Sequence, residues 1–126
     1  MIMTNENPVA QIRRINDHGD RYESIVLWCP GCEHDSVLLD GHKVGGLHML
    51  PISGDGKKRP TWQWNRDLVT VTLSPSILTQ TTRGEEPFVC HSFLQESVWH
   101  FLEDSTHPLA GQHIPMVPLP DWVVRD

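Results

Sequence analysis

The sequence predicts a mainly β fold: a small single-domain, zinc-ribbon-like antiparallel sheet with an extended, proline-rich C-terminal segment. Three observations predict it. Ten prolines and nine glycines interrupt the 126 residues so often that no long run of strong helix formers survives between them. The apolar runs that remain are short, rich in β-branched and aromatic residues, and bounded by turn formers. Cys29-Pro30-Gly31-Cys32 reads as a metal-binding knuckle, a staple that a domain of this size can use.

Taken in order, Met1 to Asp20 is polar and weakly patterned, a lead-in or a short edge element, and the zinc-binding β domain is expected over 21–126. Tyr22 to Trp28 reads as a strand that runs straight into Cys29. Pro30 and Gly31 supply the tight turn between the two cysteines. Ser36 to Asp40 and Leu47 to Ile52 are candidate strands around Gly41, Gly45 and Gly46, and Ser53 to Pro60 is the clearest loop. Thr61 to Asn65 and Leu68 to Leu73 follow, the latter with Val69, Val71 and Leu73 on one face. Thr79 to Pro87 reads as a polar connection. Phe88 to Leu94 and Val98 to Leu102 read as hairpin arms turning at Gln95-Glu96-Ser97. Beyond His107, Pro108, Pro115, Pro118 and Pro120 predict an extended tail packed on the sheet, with one short helical turn at most.

The net charge is −6, which offers no general attraction to nucleic acid or to an anionic membrane. No apolar stretch is long enough to span a bilayer as a helix, and Met1 to Asp20 lacks the apolar segment of a secretory signal. Three cysteines, an odd number, argue against a disulfide framework and for the cytoplasm.

Two cysteines separated by two residues present both sulfurs to one tetrahedral ion. A redox motif shares that spacing but needs a helix to start at the first cysteine, whereas Glu33-His34-Asp35 and an apolar strand follow here. Cys90 is the remaining thiol. It stands mid-strand beside His91, and neighbours on a strand point to opposite faces, so the two are not expected to share one ion. His107 lies where the chain returns near the level of Cys90, which makes it the candidate fourth ligand, with His34 and His91 as alternatives. Were the zinc site open, His91 or Glu96 would be the candidate base. The H-x-E deaminase pattern, H-E-x-x-H, Gly-x-Ser-x-Gly and a phosphate-binding loop are all absent. Lys57-Lys58-Arg59 before Trp62 and Trp64 pairs charge with stacking faces, as single-strand nucleic-acid binders do, but the acidic chain favours the plainer reading of core tryptophans beside a solvated loop.

The ordered string Trp28-Cys29-Pro30-Gly31-Cys32, Trp62-x-Trp64-Asn65, Thr72-Leu73-Ser74-Pro75-Ser76, Cys90-His91-Ser92-Phe93 and Thr106-His107-x-Leu109-Ala110-Gly111-Gln112 resembles an uncharacterised family of small phage and prophage proteins, often mislabelled ammonia monooxygenase. Relatives there carry Asp-Cys where this chain has Asp104-Ser105, which favours His107 over a fourth cysteine. The resemblance implies a phage-type accessory protein in the cytoplasm of an infected bacterium. Its structural zinc would be held by Cys29, Cys32, Cys90 and His107, and its role would be to bind a host protein rather than to catalyse. A zinc-dependent hydrolase and a single-strand nucleic-acid binder are the alternatives.

Overall fold

The segment Ile25-Val26-Leu27-Trp28 is buried on both of its faces, and this organises the architecture. The computed structural model describes residues 7–35, 38–54, 59–83 and 86–124. Strands β1 (Ala10–Asp17), β2 (Asp20–Trp28) and β5 (Leu47–Pro51) form an antiparallel sheet in the order β1-β2-β5. A second antiparallel sheet is ordered β10-β9-β8-β7-β6 and comprises β6 (Gln63–Trp64), β7 (Leu73–Arg83), β8 (Glu86–Gln95), β9 (Val98–Phe101) and β10 (His113–Pro115). Between β2 and β5 lie a 3-10 turn (Cys32–His34) and a small hairpin, β3 (Leu38–Leu39) and β4 (His42–Lys43). The mainly β, antiparallel expectation holds.

Side-chain alternation explains the packing. Ile25 and Leu27 project from β2 into a core shared with Leu73, Ile77, Cys90, Leu94, Trp99 and Phe101 of the larger sheet. Val26 and Trp28 project the other way and are covered by Leu119 and Val123 of the C-terminal segment. A strand covered on both sides reads as a continuous apolar run, which is why this stretch lacks alternation. Burying each such side chain contributes about 1.5–3 kcal/mol. The proline-rich tail does pack on the protein: β10 extends the larger sheet, and a four-residue helix, α1 (Asp121–Val124), caps the segment just after Pro120. Among the described residues no helix is long and apolar enough to cross a membrane.

Two expectations need correction. Residues 68–72 are not strand: Asn65 and Asp67 bond the backbone of Val69, Thr70 and Thr72, and close this stretch into a loop with Val69 exposed and Val71 buried. Conversely, most of the supposed polar connection belongs to β7 and β8, whose polar residues line a face open to solvent. The β8–β9 hairpin turns where expected. Its two central residues, Glu96 and Ser97, have φ of 48° and 62°, the positive pair that a tight two-residue hairpin requires.

Candidate active site and thiol cluster

Strand β8 carries chemistry on both faces. Cys90 points into the core, 2 % exposed, and His91 points outward. The outward histidine sits in a chain of three side chains. His91 Nε2 lies 3.1 Å from the Ser76 hydroxyl, and Nδ1 lies 3.0 Å from Asp104 Oδ2. Each partner is brought there by a distinct local device.

Ser76 lies in an irregularity of β7. Leu73 pairs with Leu94 and Ile77 with Ser92, so β7 spends more residues than β8 over this stretch. The bulge re-aims the strand and brings Ser76 to His91. The Trp62 indole N–H donates to the Ser76 carbonyl at 3.3 Å and pins the backbone there. Asp104 is delivered by the loop after β9. Leu102 N–H donates to His91 O at 2.8 Å, while Ser105 Oγ accepts the His91 N–H at 2.9 Å. Thr106 makes equivalent bonds to the backbone of Val89. The loop therefore runs along β8 like an added strand, and Asp104 meets the imidazole. The carboxylate side chain is 58 % exposed and the imidazole 24 %, so the site opens on the surface.

On the inner face, the sulfurs of Cys29, Cys32 and Cys90 lie within 4.8 Å of one another, all buried. Cys29 and Cys90 are 3.7 Å apart. Two thiolates on one tetrahedral zinc at about 2.3 Å stand about 3.8 Å apart, so the spacing suits that ion. The Pro-Gly turn closes into a knuckle in which the Cys32 N–H points at Cys29 Sγ, 3.3 Å away. Burial pushes the Cys29 thiol up, but hydrogen bonds from Cys32, from Cys90 and from the backbone at Cys32 and Gly31 outweigh it and bring it down to about 4. Cys90 is pushed up, first by its hydrogen bonds to Cys29 and Cys32 and then by its own burial. Such a cluster holds one thiolate readily and needs a cation to hold three.

His107 packs over this knuckle. A Cβ added at Gly31 would fall 2.5 Å from His107 Nε2, so only glycine lets the ring come this close. Nε2 is buried with no hydrogen-bond partner among the described residues, while Nδ1 accepts the Leu109 N–H at 3.2 Å. Burial lowers the His107 pKa, against a smaller opposing pull from Cys32, and so favours the neutral ring that a metal ligand needs. Its nitrogens stand outside the 4.8 Å group of sulfurs. Coordination through Nε2 would put the proton on Nδ1 and displace the Leu109 contact. His34 stacks on His107, ring centroids 6.0 Å apart.

The remaining candidates fall elsewhere. Glu96 is exposed in the β8–β9 turn, where its N–H donates to the Thr72 hydroxyl, and the partners of His91 are Ser76 and Asp104 instead. Trp62 and Trp64 are half-buried against the core. Arg59 pairs with Asp20 and lies over the Tyr22 ring, whereas Lys57 and Lys58 lie outside the described residues.

A serine, an imidazole and a carboxylate linked in this order form the constellation of a serine hydrolase. Independently, the family model described as a bacterial ubiquitination-like system serine protease (BubE) matches residues 3–102, and the chain belongs to that family. The match takes in Ser76 and His91 and ends two residues before Asp104. Searches of curated proteins and of solved structures find no match. The family overturns the expectation of a phage accessory module that binds a host protein. Of the sequence-based alternatives it favours the hydrolase, although His91 faces away from the thiols toward a serine.

Proposed function

We propose that this protein is a serine protease in which Ser76 is the nucleophile, His91 the general base and Asp104 the group that orients it. The carrying observation is the continuous Ser76–His91–Asp104 hydrogen-bond chain in a member of a serine-protease family. With Asp104 accepting the Nδ1–H, the free lone pair of His91 Nε2 faces the Ser76 hydroxyl. As Ser76 Oγ attacks an acyl carbon, Nε2 takes its proton and then delivers it to the departing amine. A water molecule deprotonated by the same nitrogen releases the acyl group from Ser76. The substrates follow from the family description: polypeptides within a bacterial ubiquitination-like system.

Cys29, Cys32 and Cys90 hold zinc in this reading, with His107 as fourth ligand. Held there, an ion would tie the turn after β2 to the middle of β8, on the face of that strand opposite His91. What supports it is the buried sulfur triad and the buried His107 Nε2 that has no hydrogen-bond partner among the described residues.

Labelling with a fluorophosphonate tests the catalytic assignment. Mass spectrometry is expected to place the adduct on Ser76, and His91→Ala is expected to abolish it. Adduct on another residue, or labelling indifferent to His91, would overturn it. X-ray absorption on protein purified without added metal tests the zinc: one ion with three sulfurs and one nitrogen is expected, and an oxygen in the fourth place removes His107 from the ligand set.

A further inference from the structure

We infer that the open edge of β7, beginning two residues after the nucleophile, binds the substrate as an added β-strand, with Leu78 selecting an apolar substrate side chain. This rests on Ser76 being the nucleophile.

The direction of each backbone group along β7 follows from hydrogen bonds further into the sheet. His91 and Val89 give their main-chain groups to the loop on the far side of β8, at Leu102, Ser105 and Thr106. Their partners across the β7–β8 pair are Leu78 and Gln80. In an antiparallel ladder the residue opposite an outward-bonded one also turns its N–H and C=O away from the shared side. The main-chain groups of Leu78 and Gln80 therefore point off the sheet, on the edge away from β8. Along that edge β6 pairs only with Leu73 and Ser74, and among the described residues no strand pairs there with 77–83. The bond from Trp62 to the Ser76 carbonyl points to the same edge. The nucleophile thus stands where the paired part of the edge ends and the open part begins.

An unpaired row of donors and acceptors is a template for an extended chain. Proteolysis supplies one, since a polypeptide presented as a strand exposes each peptide carbonyl in a regular frame. Ser76 and Leu78 lie on the same face of β7, so a strand docked on this edge with its scissile bond at Ser76 brings the side chain two positions away against Leu78. Leu78 is 51 % exposed although it stands directly opposite His91. Phe93, 38 % exposed two positions along β8 from His91, extends the apolar surface. Neither exposure serves the core.

Two variants separate edge from nucleophile. Gln80→Pro removes an outward N–H that no ladder bond uses, a substitution tolerated on an edge, and it blocks strand addition. Leu78→Ala leaves the backbone edge intact, removes most of the apolar contact and sets no new charge beside His91. Each is assayed on 4-nitrophenyl acetate, which needs no strand docking, and on a pool of internally quenched decapeptides with one fixed residue at each position around the cleavage site. The wild type is expected to prefer Leu, Ile, Val or Phe two positions from the scissile bond. Gln80→Pro is expected to lose roughly tenfold or more in kcat/KM on the pool, and Leu78→Ala to lose that preference, with ester turnover and melting temperature kept in both. Pool cleavage equal to wild type in both variants would overturn the inference, as would a wild type that cleaves the ester but no peptide. A wild type inert toward ester and fluorophosphonate alike fails the nucleophile assignment itself, and the edge proposal falls with it.

Discussion

Cys90 and His91 are neighbours on one strand, and the two faces they occupy differ in almost every physical respect. On the inner face three sulfurs crowd together in the buried core, where they cost stability unless a cation or shared protons offset their charge. On the outer face His91 meets a half-buried hydroxyl and an exposed carboxylate, polar groups that solvent can reach and that cost little to leave there. The loop after β9 repeats the division: Asp104 turns out to the imidazole, and His107, three residues later, turns in over the knuckle. In the proposed reading the inner cluster is the stability element and the outer constellation the reactive one, and β8 carries both.

The largest expected effect breaks the comparison at its reactive end. Ser76→Ala should lower peptide or ester turnover by roughly three orders of magnitude or more while thermal melting stays where it was. An unfolded or equally active variant would mean the outer face is not the reactive one. Next, Cys32→Ala should destabilise the domain by roughly 3 kcal/mol or more, on the order of 10 °C in melting temperature, with loss of bound zinc. A variant that melts like the wild type would show that the thiols are not the staple.

Asp104→Ala sharpens the outer site. Its carboxylate is exposed, so the loss in kcat should be smaller than for a buried orienting aspartate, about ten- to a hundredfold, with stability unaltered. Trp62→Phe keeps an aromatic side chain, though a smaller one, and removes the donor to the Ser76 carbonyl. One such hydrogen bond contributes about 0.5–1.5 kcal/mol, so turnover should fall about two- to tenfold in steady-state assays. Glu96→Gln, at the far turn, should change neither melting nor turnover; a measurable loss would place a carboxylate in the chemistry that the geometry leaves out.

Legibility tracks how local each feature is. The knuckle was readable because Cys29 and Cys32 are two residues apart and a Pro-Gly turn alone sets their geometry. The β8–β9 hairpin was readable because its turn lies between two short apolar runs. Strand alternation also separated Cys90 from His91 and left His91 as a candidate base. In the sequence Ser76 and Asp104 stand only as members of short strings, Thr72-Leu73-Ser74-Pro75-Ser76 and Asp104-Ser105, and nothing local marks either as catalytic. They lie 15 and 13 residues from His91 and share no short motif with it. Alternation misled where loop and strand swapped roles, because residues 68–72 are closed by the Asn65 and Asp67 side chains rather than by a ladder.

The sequence by itself determined the β class, through frequent chain breakers and short apolar runs. It also determined the thiol knuckle, through spacing, and the opposed faces of Cys90 and His91, through the two-residue period of a strand. Only the tertiary structure decided that Ser76 reaches His91, because that depends on a bulge in the β7–β8 register. Only it decided that Asp104 completes the chain, because that depends on a loop bonded along β8. These are pairings between distant residues, fixed by the packing of whole strands, and no local pattern of residue types encodes them.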